Sequence, residues 1–157
     1  MTKKVIRSDR IPAPGSNYSP GFKIGDFIFI SGLLATDYET GVPDEAKTHP
    51  NFPWFGSDVK LQARDVLENL EKLLEDSGSS LDRVVKANVY MHDLDHYAKF
   101  REVWEEYFSD AIPPQTVMEV HCGAYGQGLL GSMGNLFEVE VIALASDGLD
   151  VEEVKSD

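Results

Sequence analysis

Two carboxylates, Glu138 and Glu140, alternate with Phe137, Val139 and Val141 towards the C-terminal end of the chain. Residues two apart on a strand share a face, so the two acids point one way and the apolar residues the other. Such a pair beside a cleft could hold a water or take a proton from it. The same pattern also fits a solvated sheet face, and spacing alone does not choose between them. Just upstream, Cys122 to Asn135 carries five glycines. Gly126-Gln127-Gly128 and Gly131-Ser132-Met133-Gly134 do not match the dinucleotide-binding pattern, and the segment lacks the lysine of a phosphate-binding loop. These glycines read as a loop that needs unusual backbone angles or close backbone approach. No nucleophile motif is found. His49, His92, His96 and His121 show no zinc-like spacing with one another or with the single cysteine, Cys122. His92 and His96 stand four apart, but Asp93 and Asp95 between them read as turn and cap residues. Neither a metal nor a cofactor is expected.

These groups need elements to position them. Ile11 to Pro20, with three prolines, reads as an ordered irregular loop. Phe22-Lys23-Ile24 and Phe27-Ile28-Phe29-Ile30, split by Gly25-Asp26, read as a hairpin. Asp37 to Gly41 is a turn, and Val42 to Gly56 is a polar loop carrying Phe52, Trp54 and Phe55. From Asp58 to Asp76, Val59, Ala63, Val66, Leu67, Leu70, Leu73 and Leu74 form a helical stripe, with Ser57 as N-cap and Gly78 as stop. Val84 to Met91 is a strand. Asp95 is read as the cap of a second helix, whose Tyr97, Phe100, Val103, Trp104, Tyr107 and Phe108 make one face. Ile112-Pro113-Pro114 ends that helix. Thr116 to His121 and Leu136 to Leu144 alternate as strands. The expected class is α+β, a mixed sheet with two helices packed on one face. One domain, residues 1–145, is followed by an acidic tail, 146–157, expected to fray.

The chain has 157 residues, 42% of them hydrophobic, and a formal net charge of −13. Nucleic-acid phosphates demand a basic patch, so nucleic acid is not an expected partner. An anionic membrane is disfavoured on the same ground, and no apolar run approaches the ~20 residues of a membrane helix. One cysteine excludes an internal disulfide and suits a reducing, cytoplasmic compartment.

Several stretches carry more. They are Pro12-Ala13-Pro14-Gly15-Ser16-Asn17-Tyr18-Ser19, Ile24-Gly25-Asp26 leading to Ser31-Gly32, and Gln62 to Leu70. Val84 to Met91 with Asp93-Leu94 follows, then Val103 to Phe108, Pro113 to Val120, and Glu138 to Ala143. In this order, from Ile11 to Leu144, they resemble the motifs of the reactive-intermediate deaminase (Rid, or YjgF-like) superfamily. The resemblance implies a chorismate-mutase-like fold and a homotrimer with small-molecule clefts between subunits. It implies hydrolysis of enamines and imines to ketones and ammonia, with an arginine gripping the substrate carboxylate and a glutamate on the last strand positioning water. Carried onto this chain, Glu138 is the water-positioning base and Tyr18 a proton relay or wall. Ser31, Asn88, His121 and Cys122 are candidates for lining the cleft. Val117, Val139 and Val141 are candidates for the face that subunits bury together.

The chain departs from the family where the arginine is expected, and carries Gln115. A neutral amide cannot make the paired charge-assisted bonds of a guanidinium, a loss of about 2–4 kcal/mol of binding if nothing replaces them. The loops at Val42 to Gly56 and Cys122 to Asn135 also look longer than usual. One reading is an enzyme for an enamine, imine or related C–N compound with no carboxylate at Gln115. The alternative is an inactive trimer that binds a small molecule as sensor or regulator. In the bland readings Tyr18 packs its loop, Glu138 pairs across an interface and Cys122 is a small buried apolar residue. A ribonuclease reading, attached to the family by its naming, is opposed by the acidic charge.

Overall fold

Strict apolar alternation in the central strands forces one face of the sheet under cover. The computed structural model describes residues 2–15, 17–37, 41–42, 58–109, 112–121 and 134–146. Among them the chain forms β1 (Lys3–Ile6), β2 (Gly21–Ile24), β3 (Phe27–Leu33), α1 (Val59–Asp76), β4 (Val84–Met91), α2 (Tyr97–Tyr107), β5 (Gln115–Glu119) and β6 (Phe137–Leu144). The strands build one sheet in the order β1-β2-β3-β6-β4-β5. Only β4 and β5 run parallel, with α2 in the connection between them. The expected mixed sheet with two helices is found, with one strand more than foreseen. That strand, β1, carries Lys3-Lys4-Val5-Ile6, of which only Ile6 is buried.

Helix α1 buries the stripe Val59, Ala63, Val66, Leu67, Leu70, Leu73 and Leu74. Its N-cap is Asp58 rather than Ser57, accepting from the Lys60 N–H at 2.9 Å. At its other end the Gly78 N–H donates to Glu75 O and the Ser79 N–H to Leu74 O, at 2.9 and 2.8 Å. Gly78 adopts φ 76°, the left-handed geometry that closes such a cap. Before α2, Asp93 rather than Asp95 is the capping residue. Its carboxylate accepts from the Asp95 N–H at 2.8 Å and opens a short 3₁₀ turn, Leu94–His96, that runs into α2. Phe100 of α2 packs edge-on against Phe137 of β6, ring centres 4.8 Å apart, and Trp104 stacks on Phe108. The two helices are joined on their outer surface by Arg64, which donates to both oxygens of Glu106 at 2.6 and 3.0 Å.

Under the helices lie Ile28 and Ile30 of β3, Ala87, Val89 and Met91 of β4, and Phe137, Val139, Val141 and Ala143 of β6. This corrects the expectation for Val139 and Val141. Both are buried in the chain's own core, and Val117 packs against it, so none of them lies on the outer face. Register assigns that outer face to other residues. One row runs Val5, Phe22, Phe29, Ile142, Lys86 across five strands. A second runs Glu140, Asn88, Thr116, and a third Glu138, Tyr90, Met118. Phe29 and Met118 are 41% and 43% exposed.

The downstream end of the glycine-rich segment is anchored from α1. Gln62, fully buried, donates from Nε2 to Gly134 O at 2.8 Å and accepts from the Leu136 N–H at 3.0 Å. Leu136 O in turn accepts from the His92 N–H at 2.8 Å. Residues 122–133 of that segment, the aromatics of the loop at 43–57 and the tail from 147 onward lie outside the described residues. Ser146 is tied down, its N–H donating to Gly78 O at 2.6 Å.

Candidate functional site

The outer face of β6 meets β3 at an irregularity. Ile30 pairs with Val141 and Leu33 with Val139, so Ser31 and Gly32 together oppose Glu140. A bulge of this kind bends its strand and re-aims side chains. Here it brings Gly32 against Glu138. A Cβ built on Gly32 would overlap Glu138 Oε1 and lie 2.5 Å from its Cδ. The carboxyl of Glu138 thus occupies the space that a side chain at position 32 would fill.

The neighbouring carboxyl is held differently. Glu140 Oε1 accepts from Asn88 Nδ2 at 2.7 Å and from the Tyr90 hydroxyl at 2.9 Å. That bond to Glu140 is the main cause that pushes the Tyr90 phenol above its ordinary value. Burial, reinforced by the Glu140 carboxylate, pushes the Glu138 carboxyl up as well. Two acids on one strand thus have separate environments: one fixed by two donors, the other half-buried and made harder to ionise. A carboxyl of the second kind is a better proton acceptor when ionised than an ordinary surface glutamate.

The N-terminal loop reaches this place through Ser31. Its hydroxyl donates to Ser19 O at 2.7 Å and its N–H to Pro20 O at 2.9 Å. Tyr18, 40% exposed, then lines a hollow with Ser31, Gly32, Pro12 and Pro14, closed below by Thr36 and Asn69. A second hollow, of about 310 Å³, shares Ser31 and takes in Phe29, Lys86, Asn88 and Glu140. The two meet at the bulge. Of the sequence-derived candidates, Tyr18, Ser31 and Asn88 line these hollows, and Glu138 stands against Gly32 at the bulge without lining either.

Gln115 and His121 do neither. Gln115 pairs with Ala87, whose side chain is in the core, so it faces the helices. Its Oε1 accepts from the Tyr97 hydroxyl of α2 at 3.2 Å. Its Nε2 is buried with no hydrogen-bond partner. Within one chain Gln115 and Glu138 stand on opposite faces of the sheet. His121 is exposed beyond the end of β5, 3.3 Å from Glu119. Cys122 lies outside the described residues, as does most of the loop expected to wall the cleft. Among the described residues no group of three or more His, Cys, Asp or Glu side chains is placed to hold a metal ion. Nor, among the described residues, is any helix long and apolar enough to cross a membrane.

Sequence reasoning missed Gly32, Tyr90 and Gln62. Gln62 had a signal, a polar residue one turn before Val66 in an otherwise apolar helix stripe. Gly32 and Tyr90 had none, because their roles exist only in the register with β6.

Two outcomes follow from the Glu138 environment. Its carboxyl is ordinary in the unfolded chain, near 4.5, and raised in the fold. The protonated form therefore favours folding. That contribution is whole below the ordinary value and is lost as pH rises through the folded one. Glu138→Gln cannot ionise, so its stability relative to wild type should climb as pH rises from about 4.5 through the raised folded value. Denaturant midpoints across that range check it, and a pH-independent difference would contradict it. Gly32→Ala should fold but evict the Glu138 carboxyl towards water. The Glu138 step in a carboxyl-resolved NMR titration should then move down, and an unmoved step would show that the carboxyl does not need that space.

The chain's likeness to known proteins agrees with this geometry. Residues 8–145 match the family model described as Endoribonuclease L-PSP. A RutC family protein of Pyrococcus abyssi is 38% identical over 120 residues, 76% of this chain and 86% of that one. The crystal structure of RidA from an Antarctic Psychrobacter is 30% identical with a TM-score of 0.70, covering 90% of this chain and 98% of that one. The E. coli TdcF structure with bound serine is 25% identical with a TM-score of 0.71, covering 91% and 99%. By its sequence from the N-terminal loop to the last strand, and by its sheet and helices, the chain belongs to the YjgF/Rid superfamily.

Proposed function

We propose that this protein is a hydrolytic deaminase for an enamine, imine or related small C–N compound, working in clefts between the subunits of a homotrimer. The observation that carries the reading is Glu138, seated over Gly32 and pushed above the ordinary carboxylate range by burial and by Glu140. A protonated imine carbon is already electrophilic, so the protein need only hold a water and move protons. Ionised Glu138 takes a proton from that water as its oxygen bonds to the imine carbon. The same carboxyl then returns the proton to nitrogen. As the C–N bond breaks, the regenerated carboxylate takes the proton of the new hydroxyl, so that ketone and ammonia leave and that proton passes on to the ammonia or to solvent. Tyr18, across the hollow from Gly32, is suited to orient the substrate or pass a proton. Ser31 and Asn88 complete the lining.

Gln115 defines what the substrate lacks. It carries no charge, its carbonyl oxygen is engaged by Tyr97, and it lies on the helix side of edge strand β5. A cleft that includes both Gln115 and Glu138 must pass round that edge, as a site between subunits would. The exposed row of Val5 and Phe29, with Met118 beyond, supplies apolar surface for subunits to cover. The formal charge of −13 argues against RNA as substrate.

The second reading, a small-molecule-binding trimer without turnover, draws on one observation: Gln115, standing where the resemblance would put the carboxylate-gripping arginine, is already engaged by Tyr97.

Sedimentation should give three times the 17.4 kDa chain mass, and a monomer would remove the inter-subunit cleft. Ammonia release should be measured on a panel of enamines, imines and cyclic amides. Turnover is expected on a member without a carboxylate near the reacting carbon, and little on 2-iminopropionate. Glu138→Gln should lower that turnover by about 10²–10⁴ while leaving assembly intact. Silence across the panel, with tight binding of a panel member, would favour the second reading.

A further inference from the structure

Gln62 sits on α1 and lines neither hollow, yet its amide bonds to backbone at the downstream end of the glycine-rich segment. We infer that Gln62 is a positioning residue for Glu138, fixing where β6 begins and therefore which face its carboxylates occupy. The inference rests on the reading of Glu138 as the water-holding group.

The side chain is fully buried, so both of its polar atoms must be satisfied inside the protein. Nε2 donates to Gly134 O at 2.8 Å and Oε1 accepts from the Leu136 N–H at 3.0 Å. The amide thus binds two residues two apart, as a neighbouring strand would. From the other side Leu136 O accepts from the His92 N–H at 2.8 Å. Both backbone groups of Leu136 are therefore spoken for, one by α1 and one by the residue after β4. The ladder starts at the next residue: Phe137 opposes Met91 and Glu138 opposes Tyr90.

A strand's side chains alternate strictly, so a slip of one residue at Leu136 would carry Glu138 into the core and Phe137 out of it. Core packing resists that slip along the whole of β6. At its first residues the Gln62 bonds, together with the His92–Leu136 bond, pin the chain. Glu138 is two residues downstream of the pin. The charged or titratable groups facing it are Glu140 on its own strand and Tyr90 on β4.

The test uses the full chain with carboxyl-labelled glutamate, read by NMR titration and amide exchange rather than turnover, so absence of hydrolytic activity does not affect it. Gln62→Leu keeps the volume and removes both bonds. The Leu136 amide should lose protection and the Glu138 titration should shift down as its carboxyl leaves the space over Gly32. Gln62→Glu keeps an acceptor for Leu136 but sets a carboxylate against Gly134 O, and should give a smaller shift in the same direction. Gly78→Ala, strained by its left-handed backbone at the far end of α1, weakens the fold without touching the pin and should leave the Glu138 titration in place. A folded Gln62 variant with the wild-type Glu138 titration overturns the inference. So does a Gly78→Ala titration that shifts as far. If neither Gln62 variant folds, the wild type decides: a Leu136 amide exchanging as fast as that of exposed Gly25 overturns it, and strong protection supports it.

Discussion

Strand β6 answers to two environments at once, and the rest of the molecule is arranged around that demand. It is central in the sheet, between β3 and β4. Phe137, Val139, Val141 and Ala143 are buried against the helices. Their burial, at about 25 cal/mol per Å² of apolar surface, is what holds the helices down. The same alternation obliges Glu138, Glu140 and Ile142 onto the other face. The carboxylates are therefore placed by the hydrophobic requirement of their neighbours. A single strand supplies both the middle of the core and the two acids above it.

How the two acids differ depends on the strands beside them. On the β4 side Asn88 and Tyr90 supply donors to Glu140. On the β3 side the bulge supplies no donor to Glu138, only the space over a glycine. One carboxylate is stabilised by directed bonds and the other is lodged by shape. That asymmetry sets the two acids apart, and the N-terminal loop is tied by Ser31 to the same bulge.

Much of this was legible in the sequence and some was not, for identifiable reasons. The α1 stripe was plain because seven apolar residues repeat at helical spacing. Its cap was displaced by one position, since Ser57 and Asp58 are both good caps. The strand β1 was invisible: four residues with three exposed side chains carry no alternation to read. The hydrophobic face of β6 was read correctly as a face but assigned to the wrong neighbour, because period two says which residues share a side and not what covers it. Gln115 shows the same limit. Its chemistry is legible from its type, but its face is set by pairing with Ala87. Gly32 could not be found at all, since its role is defined by a residue on a strand from the other end of the chain.

The edge strand β1 has a consequence for how the molecule can associate. It is only four residues long, and its outer side chains include Lys3, which lies over the Phe22 ring at 3.9 Å, and Lys4. A foreign strand seeking to extend the sheet there would meet two positive charges and a ladder too short to repay its ordering. Edge-on growth is open-ended, each addition exposing a fresh edge, whereas contact through the face of the sheet can close on itself. The lysines thus bias the protein away from fibrous stacking through the β1 edge.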